Sequence, residues 1–178
     1  MEFRRLGNSG LSVSEIGLGC NNFGGRVDQS GTKRVVDAAL DHGITLFDTA
    51  DVYGSGHNEE LVGRTLRGVR DQTVLATKGG FQRHDDVSMS VNGNPDYIRS
   101  ACEASLRRLG LDHIDLYYLH RVDPDVPVED TVGAMADLVN DGKVRYIGLS
   151  QTDSETLRRG HRTHPISALQ SEYSLWVR

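Results

Sequence analysis

Four residues of the chain have side chains suited to proton transfer at a carbonyl group: Asp48, Tyr53, Lys78 and His120. A tyrosine hydroxyl titrates near ~10 in water, so it is a weak acid at neutral pH. A lysine cation nearby is expected to lower that pKa, while a carboxylate beside the lysine keeps it charged and in place. Tyr53 could then protonate a carbonyl oxygen that His120 orients and polarises. Because the side chains provide no hydride, this chemistry implies a nicotinamide cofactor.

These four residues lie at or just after the ends of short apolar segments that are typical of buried strands. The predicted strands are 44–47, 73–77 and 114–119. In a parallel sheet the carboxyl ends of the strands share one edge, where α/β folds place their chemistry. We therefore expect the four side chains to converge.

The rest of the chain continues this alternation of strands and helices. The pattern predicts a hairpin over 3–13, further strands at 15–19, 144–149 and 166–170, and helices over 32–42, 58–67, from Asn94 and Pro95 onward, 128–140 and from about 153. Segment 81–93 is polar and without periodicity, so it is predicted to be a long mobile loop. Such alternation indicates βαβ units and a parallel sheet. Periodicity alone does not decide between an open doubly wound sheet and part of a barrel.

The sequence around the four residues resembles the aldo-keto reductase family. The matching segments are LFDTADVYGSGHNEELVGRTL, ATKGG, DLYYLHRVDPDVPVEDT and GKVRYIGLS. The last of these segments is most similar to the branch that includes bacterial aldo-keto reductases and potassium channel β-subunits. The resemblance implies a TIM (β/α)8-type barrel with an N-terminal β-hairpin. It also implies NADPH-dependent reduction of an aldehyde or ketone to an alcohol, with Asp48, Tyr53, Lys78 and His120 as the catalytic residues.

The same resemblance implies which residues contact the cofactor and the substrate. The expected cofactor-binding residues are Asp48, Ser150, Gln151 and Gln170. Gln151 stands where the family usually has asparagine. The expected substrate-binding residues are Tyr53, His120 and Phe23, the last in a loop over 20–24. Preference for NADPH over NADH comes from the resemblance alone.

The resemblance predicts only about six of the eight barrel strands, so residues 1–178 are expected to form one C-terminally incomplete barrel domain. Unpaired sheet edges and an open apolar interior favour association. We therefore expect a partner chain or self-association to complete the barrel. The alternative is a catalytically silent, truncated reductase-like subunit that binds or regulates.

Composition further narrows the class of protein to which the chain can belong. The 178 residues are 37% hydrophobic and 25% charged, which is ordinary for a soluble globular protein. A net charge of −5 gives no basic footprint for nucleic acid or an anionic membrane. The sequence has no apolar run of about 18 residues and no secretory leader pattern, so a cytoplasmic location is expected. Cys20 and Cys102 lack metal-binding spacing, and no metal site is expected.

Overall fold

Six parallel strands form the central sheet of the protein, whose computed structural model describes residues 1–84 and 88–177. The sheet strands are β3 (Gly17–Gly19), β4 (Leu46–Asp48), β5 (Val74–Gly79), β8 (Ile114–Leu119), β9 (Val144–Ser150) and β10 (Ala168–Gln170). Their order is β10-β9-β8-β5-β4-β3, and the sheet is curled into part of a barrel. The predicted incomplete barrel is confirmed, and the open doubly wound alternative is excluded.

Five α-helices alternate with these strands in the described part of the chain. They are α1 (Gln29–Asp41), α2 (His57–Leu66), α3 (Pro95–Leu109), α4 (Val128–Asn140) and α5 (Ser154–Thr163). Asp28, Asn94 and Asp153 cap α1, α3 and α5, each side chain accepting a hydrogen bond from a backbone N–H of the first turn. The cap at Asp28 explains why α1 begins three residues before the predicted start at 32. No helix among the described residues is both long and apolar enough to cross a bilayer.

The two faces of the sheet pack against different partners. The outer face meets the helices in the main hydrophobic core, which includes Phe47 and Leu75. On the inner face a smaller cluster contains Ala76, Leu116 and Tyr118, and Leu6 packs against it. Leu6 follows the first strand of the predicted N-terminal hairpin, which pairs β1 (Phe3–Arg5) with β2 (Ser12–Ser14).

Strand alternation then decides which way the polar residues point. Successive side chains on a strand face opposite sides of the sheet. Lys78 is two residues after the inward Ala76 on β5. Asp48 is two residues after Leu46, which also packs against the inner cluster. Both therefore point into the barrel interior at the carboxyl end of the sheet.

The prediction of an irregular loop over 81–93 was wrong. Strands β6 (Phe81–Arg83) and β7 (Met89–Val91) pair as an antiparallel hairpin, and residues 85–87 lie outside the described residues. The Asn92 backbone N–H donates to the Gly80 carbonyl at 2.8 Å, which fastens the hairpin base. Strands of three residues are too short to leave a periodic pattern, so backbone pairing alone reveals them.

Strands β3 and β10 form the two edges of the sheet within the described residues. The segment after β10 carries large apolar side chains into solvent. The side chains of Tyr173 and Trp176 are 83% and 86% exposed. An edge strand followed by exposed aromatic residues is a surface that favours association.

Candidate active site

A buried ion pair lies at the inner carboxyl edge of the sheet. The Lys78 Nζ atom lies 2.6 Å from Asp48 Oδ2 and donates a second hydrogen bond to the Thr49 carbonyl at 2.9 Å. The Lys78 side chain is only 2% exposed. A buried ammonium loses its hydration, so it requires both a counter-ion and hydrogen bonds. The pair holds the lysine in a single position.

Tyr53 lies beside this pair on the turn that follows β4. Gly54 and Ser55 have φ of 55°, in the left-handed region, and this shapes the tight turn between β4 and α2. The Lys78 Nζ atom lies 5.6 Å from the centre of the Tyr53 ring. Lys78 and Tyr53, two of the four residues predicted to converge, are therefore neighbours.

The pKa of Tyr53 is raised above its usual value, chiefly by burial and next by the charge of Asp48. The expectation that Lys78 lowers this pKa was therefore wrong for this arrangement. Burial of the hydroxyl is the main reason, and the charge of Asp48, which lies against the ammonium, is the next. Tyr53 consequently keeps its proton at neutral pH.

His120 completes the group from the end of β8. Its backbone N–H donates to the Gly79 carbonyl at 2.8 Å, which fixes the strand end against β5. Its ring centre lies 6.1 Å from that of Tyr53 and 4.9 Å from that of Phe81, both in edge-on geometry. Burial, followed by the charges of Lys78 and Arg121, lowers the pKa of His120 to about 4. The imidazole is therefore neutral near pH 7, and its buried Nδ1 has no hydrogen-bond partner among the described residues.

Besides Asp48 on β4, the residues expected to hold a cofactor lie at the carboxyl ends of the neighbouring strands β9 and β10. Ser150 and Gln170 are paired in register, and Ser150 is 2% exposed. Gln170 Nε2 donates to Asp48 Oδ2 at 3.1 Å, so the same carboxylate oxygen serves Lys78 and Gln170. Gln151 is exposed and has φ of 52°. The structure thus brings Gln170 to the ion pair and leaves Gln151 at the surface.

Phe23 is the third residue expected to contact the substrate. Its side chain is 5% exposed and belongs to the main hydrophobic core. Its backbone carbonyl accepts a hydrogen bond of 2.7 Å from Asn58 Nδ2. Burial in the core withdraws the ring from solvent, and its contact with a substrate stays a prediction.

A second polar network behind the sheet was missed by reasoning from the sequence. The Glu59 side chain is fully buried. Its Oε1 accepts from the Thr77 hydroxyl at 2.6 Å, and its Oε2 accepts from Arg108 Nε at 2.7 Å. The polar pair Asn58 and Glu59 at the start of an amphipathic helix could have indicated this network in the sequence. This network joins α2 to α3 and to the residue before Lys78.

Asp51 adds a buried carboxyl group between the two networks. Its Oδ1 has no hydrogen-bond partner in the described part of the chain. Burial, and next the charge of Glu59, raises the pKa of Asp51 to about 7. Its backbone N–H donates to the Lys78 carbonyl at 3.1 Å, so it belongs to the structure that positions the lysine.

A curled parallel sheet with an Asp–Lys pair, a tyrosine and a histidine at its carboxyl edge defines a reductase-type α/β barrel site. The model of the Aldo/keto reductase family matches residues 15–178. The chain is 47% identical over 180 residues to "Probable aldo-keto reductase 1" of Glycine max, covering 98% of this chain and 52% of that protein. The chain belongs to the aldo-keto reductase family.

Solved structures show the same relationship. The holo form of aldo-keto reductase AKR11C1 from Bacillus halodurans superimposes with a TM-score of 0.89 at 38% identity, covering 98% of this chain and 58% of that one. Glycerol dehydrogenase AKR11B4 from Gluconobacter oxydans gives a TM-score of 0.90 at 33% identity, covering 99% and 56%. The chain therefore spans a little over half the length of these relatives.

Proposed function

We propose that the chain carries the catalytic residues of an NADPH-dependent oxidoreductase that reduces an aldehyde or a ketone to an alcohol. The observation that supports this most is the contact of buried Lys78 with Asp48, next to Tyr53 and His120, at one edge of the sheet. The name of the Gluconobacter oxydans relative, a glycerol dehydrogenase, agrees with alcohol–carbonyl chemistry.

Each residue then has a separate role. Tyr53 is the proton donor, and its raised pKa keeps the hydroxyl protonated until a carbonyl oxygen needs the proton. The Lys78 ammonium stabilises the phenolate that remains, while Asp48 holds the ammonium in position. His120, neutral because its pKa is about 4, donates a ring N–H to the same carbonyl oxygen and orients it.

The residues at the ends of β9 and β10 suit a nicotinamide carboxamide. Ser150 and Gln170 offer a hydroxyl and an amide on adjacent strands, and Asp48 Oδ1 is a buried acceptor without a partner among the described residues. A bound nicotinamide supplies the hydride. Ser150 and Gln170 would hold its carboxamide, and Gln151 is the third proposed contact. The preference for NADPH rests on the family resemblance.

Binding of the cofactor is tested by titrating the purified chain with NADPH and following cofactor fluorescence. Saturable binding is expected for the wild type and for Tyr53→Phe, because the phenol acts on the substrate. Gln170→Ala should bind more weakly, whereas Gln72→Ala, an exposed residue before β5, should match the wild type. No saturation up to millimolar NADPH would contradict a working cofactor site in this chain.

A second candidate function is a catalytically silent subunit that binds another chain. The observation in its favour is the exposed apolar segment after β10, including Tyr173 and Trp176, beside an unpaired edge strand within the described residues. Recording the mass in solution during the NADPH titration separates the two functions. An oligomer or a complex that fails to bind NADPH would support the silent subunit.

A further inference from the structure

An open groove of about 700 Å³ lies between α1 and α2, on the helix side of the sheet. Its walls come from the loop after β3, the first turns of α1 and the exposed face of α2. Four basic residues line it: Arg26, Arg34, Arg64 and His57. None of these residues belongs to the ion pair, the tyrosine or the histidine of the candidate active site. The groove is large enough for a small ligand, since such sites span about 300–1,000 Å³.

The three guanidinium groups of this groove differ in their surroundings, since the charge of Arg34 interacts with that of nearby Asp28. Within the described ranges, Arg26, Arg34 and Arg64 form no ion pair. Arg34 bonds the Ser30 hydroxyl at 3.3 Å, and Arg64 bonds Gln29 Oε1 at 3.3 Å. All three are exposed. In a chain of net charge −5, three arginines against the single carboxylate of Asp28 in the groove lining leave a local positive field.

Two carboxylates lie near the groove, and each also contacts groups other than the three arginines. Asp28 accepts from the Gly31 N–H at 2.7 Å and from the Ser30 hydroxyl at 3.0 Å, as the cap of α1. Glu60 lies 3.6 Å from His57 Nδ1. Because Asp28 already occupies the amino end of α1, the arginines and not the helix end would provide the attraction for an anion.

The floor of the groove depends on a glycine. Gly24 has φ of 78°, and a Cβ atom there would lie 2.7 Å from His57 Cδ2. A larger residue would push the imidazole into the groove. The close approach of the loop to α2 therefore keeps the space beside the arginines open.

We propose that this groove binds the phosphate group of a small phosphate ester. Planar guanidinium groups pair with phosphate oxygens through two parallel hydrogen bonds, which makes arginine the preferred partner for such anions. The groove's volume accommodates the organic part of the ester as well as its phosphate. The site is separate from the proposed reductase site, so it is a second binding function of the chain.

The groove is mechanically connected to the active-site edge. Asn58, the residue after His57, donates to the Cys20 carbonyl at 2.6 Å and accepts from the Thr49 hydroxyl. Thr49 in turn follows Asp48 and provides the carbonyl bound by Lys78. A ligand that contacts His57 therefore binds at the helix end that holds this loop in place.

The proposal is tested by isothermal titration of the chain with pyrophosphate at constant ionic strength set by sodium chloride. Saturable binding is expected. Arg26→Gln, Arg34→Gln and Arg64→Gln should each weaken it about tenfold, since each removes charge-assisted hydrogen bonds. Arg107→Gln, which changes an exposed arginine on α3 outside the groove, should bind like the wild type. Thermal melting of each variant verifies that the fold is kept.

Three results would overturn the proposal. The first is the absence of saturable pyrophosphate binding, and the second is an equal loss in Arg107→Gln. The third is the loss of NADPH binding in parallel with pyrophosphate binding in the groove variants, which would assign the arginines to the cofactor. Sedimentation with phosphatidate vesicles separates the sources of the phosphate: vesicle binding without pyrophosphate binding would assign the groove to a lipid headgroup and not to a soluble ester.

Discussion

Glu59→Gln tests whether the buried ion pair behind the sheet fastens α2 to α3 and to β5. The Glu59 side chain is fully buried, and its two oxygens accept from Thr77 at 2.6 Å and from Arg108 at 2.7 Å. Glutamine keeps the size but replaces one acceptor with a donor, so an N–H must face either the guanidinium or the hydroxyl. Breaking a buried pair from one side costs about 3–5 kcal/mol. Because Arg108 is 25% exposed and can recover some hydration, we expect a loss of about 2–4 kcal/mol.

The neighbouring residue provides a matched control. Glu60 is 48% exposed, and its partner His57 lies 3.6 Å away. Glu60→Gln should change the free energy of unfolding by less than about 0.5 kcal/mol, as is usual for surface pairs. Urea denaturation measures both variants from the shift of the midpoint at constant slope. Equal stabilities of Glu59→Gln and Glu60→Gln would refute the role given to the buried pair.

Two further predictions concern packing and pH. Gly63→Ala places a methyl group against the backbone carbonyl of Leu109 and should destabilise the fold by about 2–3 kcal/mol. Gly133→Ala, in open space on α4, should stabilise it by about 0.5–1 kcal/mol. Equal melting temperatures of the two variants would contradict this. Burial lowers the pKa of His120 to about 4. The contribution of its neutral imidazole to the free energy of unfolding is therefore present above pH ~6.5 and is lost as pH falls towards 4. Asp51, whose pKa is raised to about 7, has the opposite effect, because its contribution to the free energy of unfolding falls as pH rises from about 4 to 7. In Asp51→Asn the free energy of unfolding, measured by urea denaturation, should therefore rise more steeply with pH over that range. An unchanged dependence on pH would contradict the raised pKa of Asp51.

The sequence predicts those elements that are determined locally. Strand β8 was expected at 114–119 and is observed at Ile114–Leu119, because all six of its residues are buried and apolar side chains dominate them. The start of α3 follows from Asn94 and Pro95, whose capping and fixed φ act within one turn. Asp48 and Lys78 were expected at one edge because each ends a strand.

What the sequence does not predict depends on distant contacts. Glu59 meets Arg108 across 49 residues, and neither residue alone indicates the pair. Phe23 was assigned to the substrate from the family resemblance, and its burial was not predicted because it depends on how its loop folds against α2. The direction of the Tyr53 pKa shift depends chiefly on how deeply the hydroxyl is buried and next on the nearness of Asp48, and the sequence shows neither.

The most direct measurement is the NADPH-dependent reduction of a panel of aldehydes, followed by the loss of NADPH absorbance in Tyr53→Phe and in Tyr173→Phe. Tyr173 is 83% exposed and lies outside the ion-pair site, so its variant should turn over like the wild type. Removing the hydroxyl of Tyr53 removes the general acid, and turnover should fall by about 10²–10⁴-fold while NADPH binding is retained. Retained turnover in Tyr53→Phe would contradict the proposed proton donor and with it the proposed reductase site.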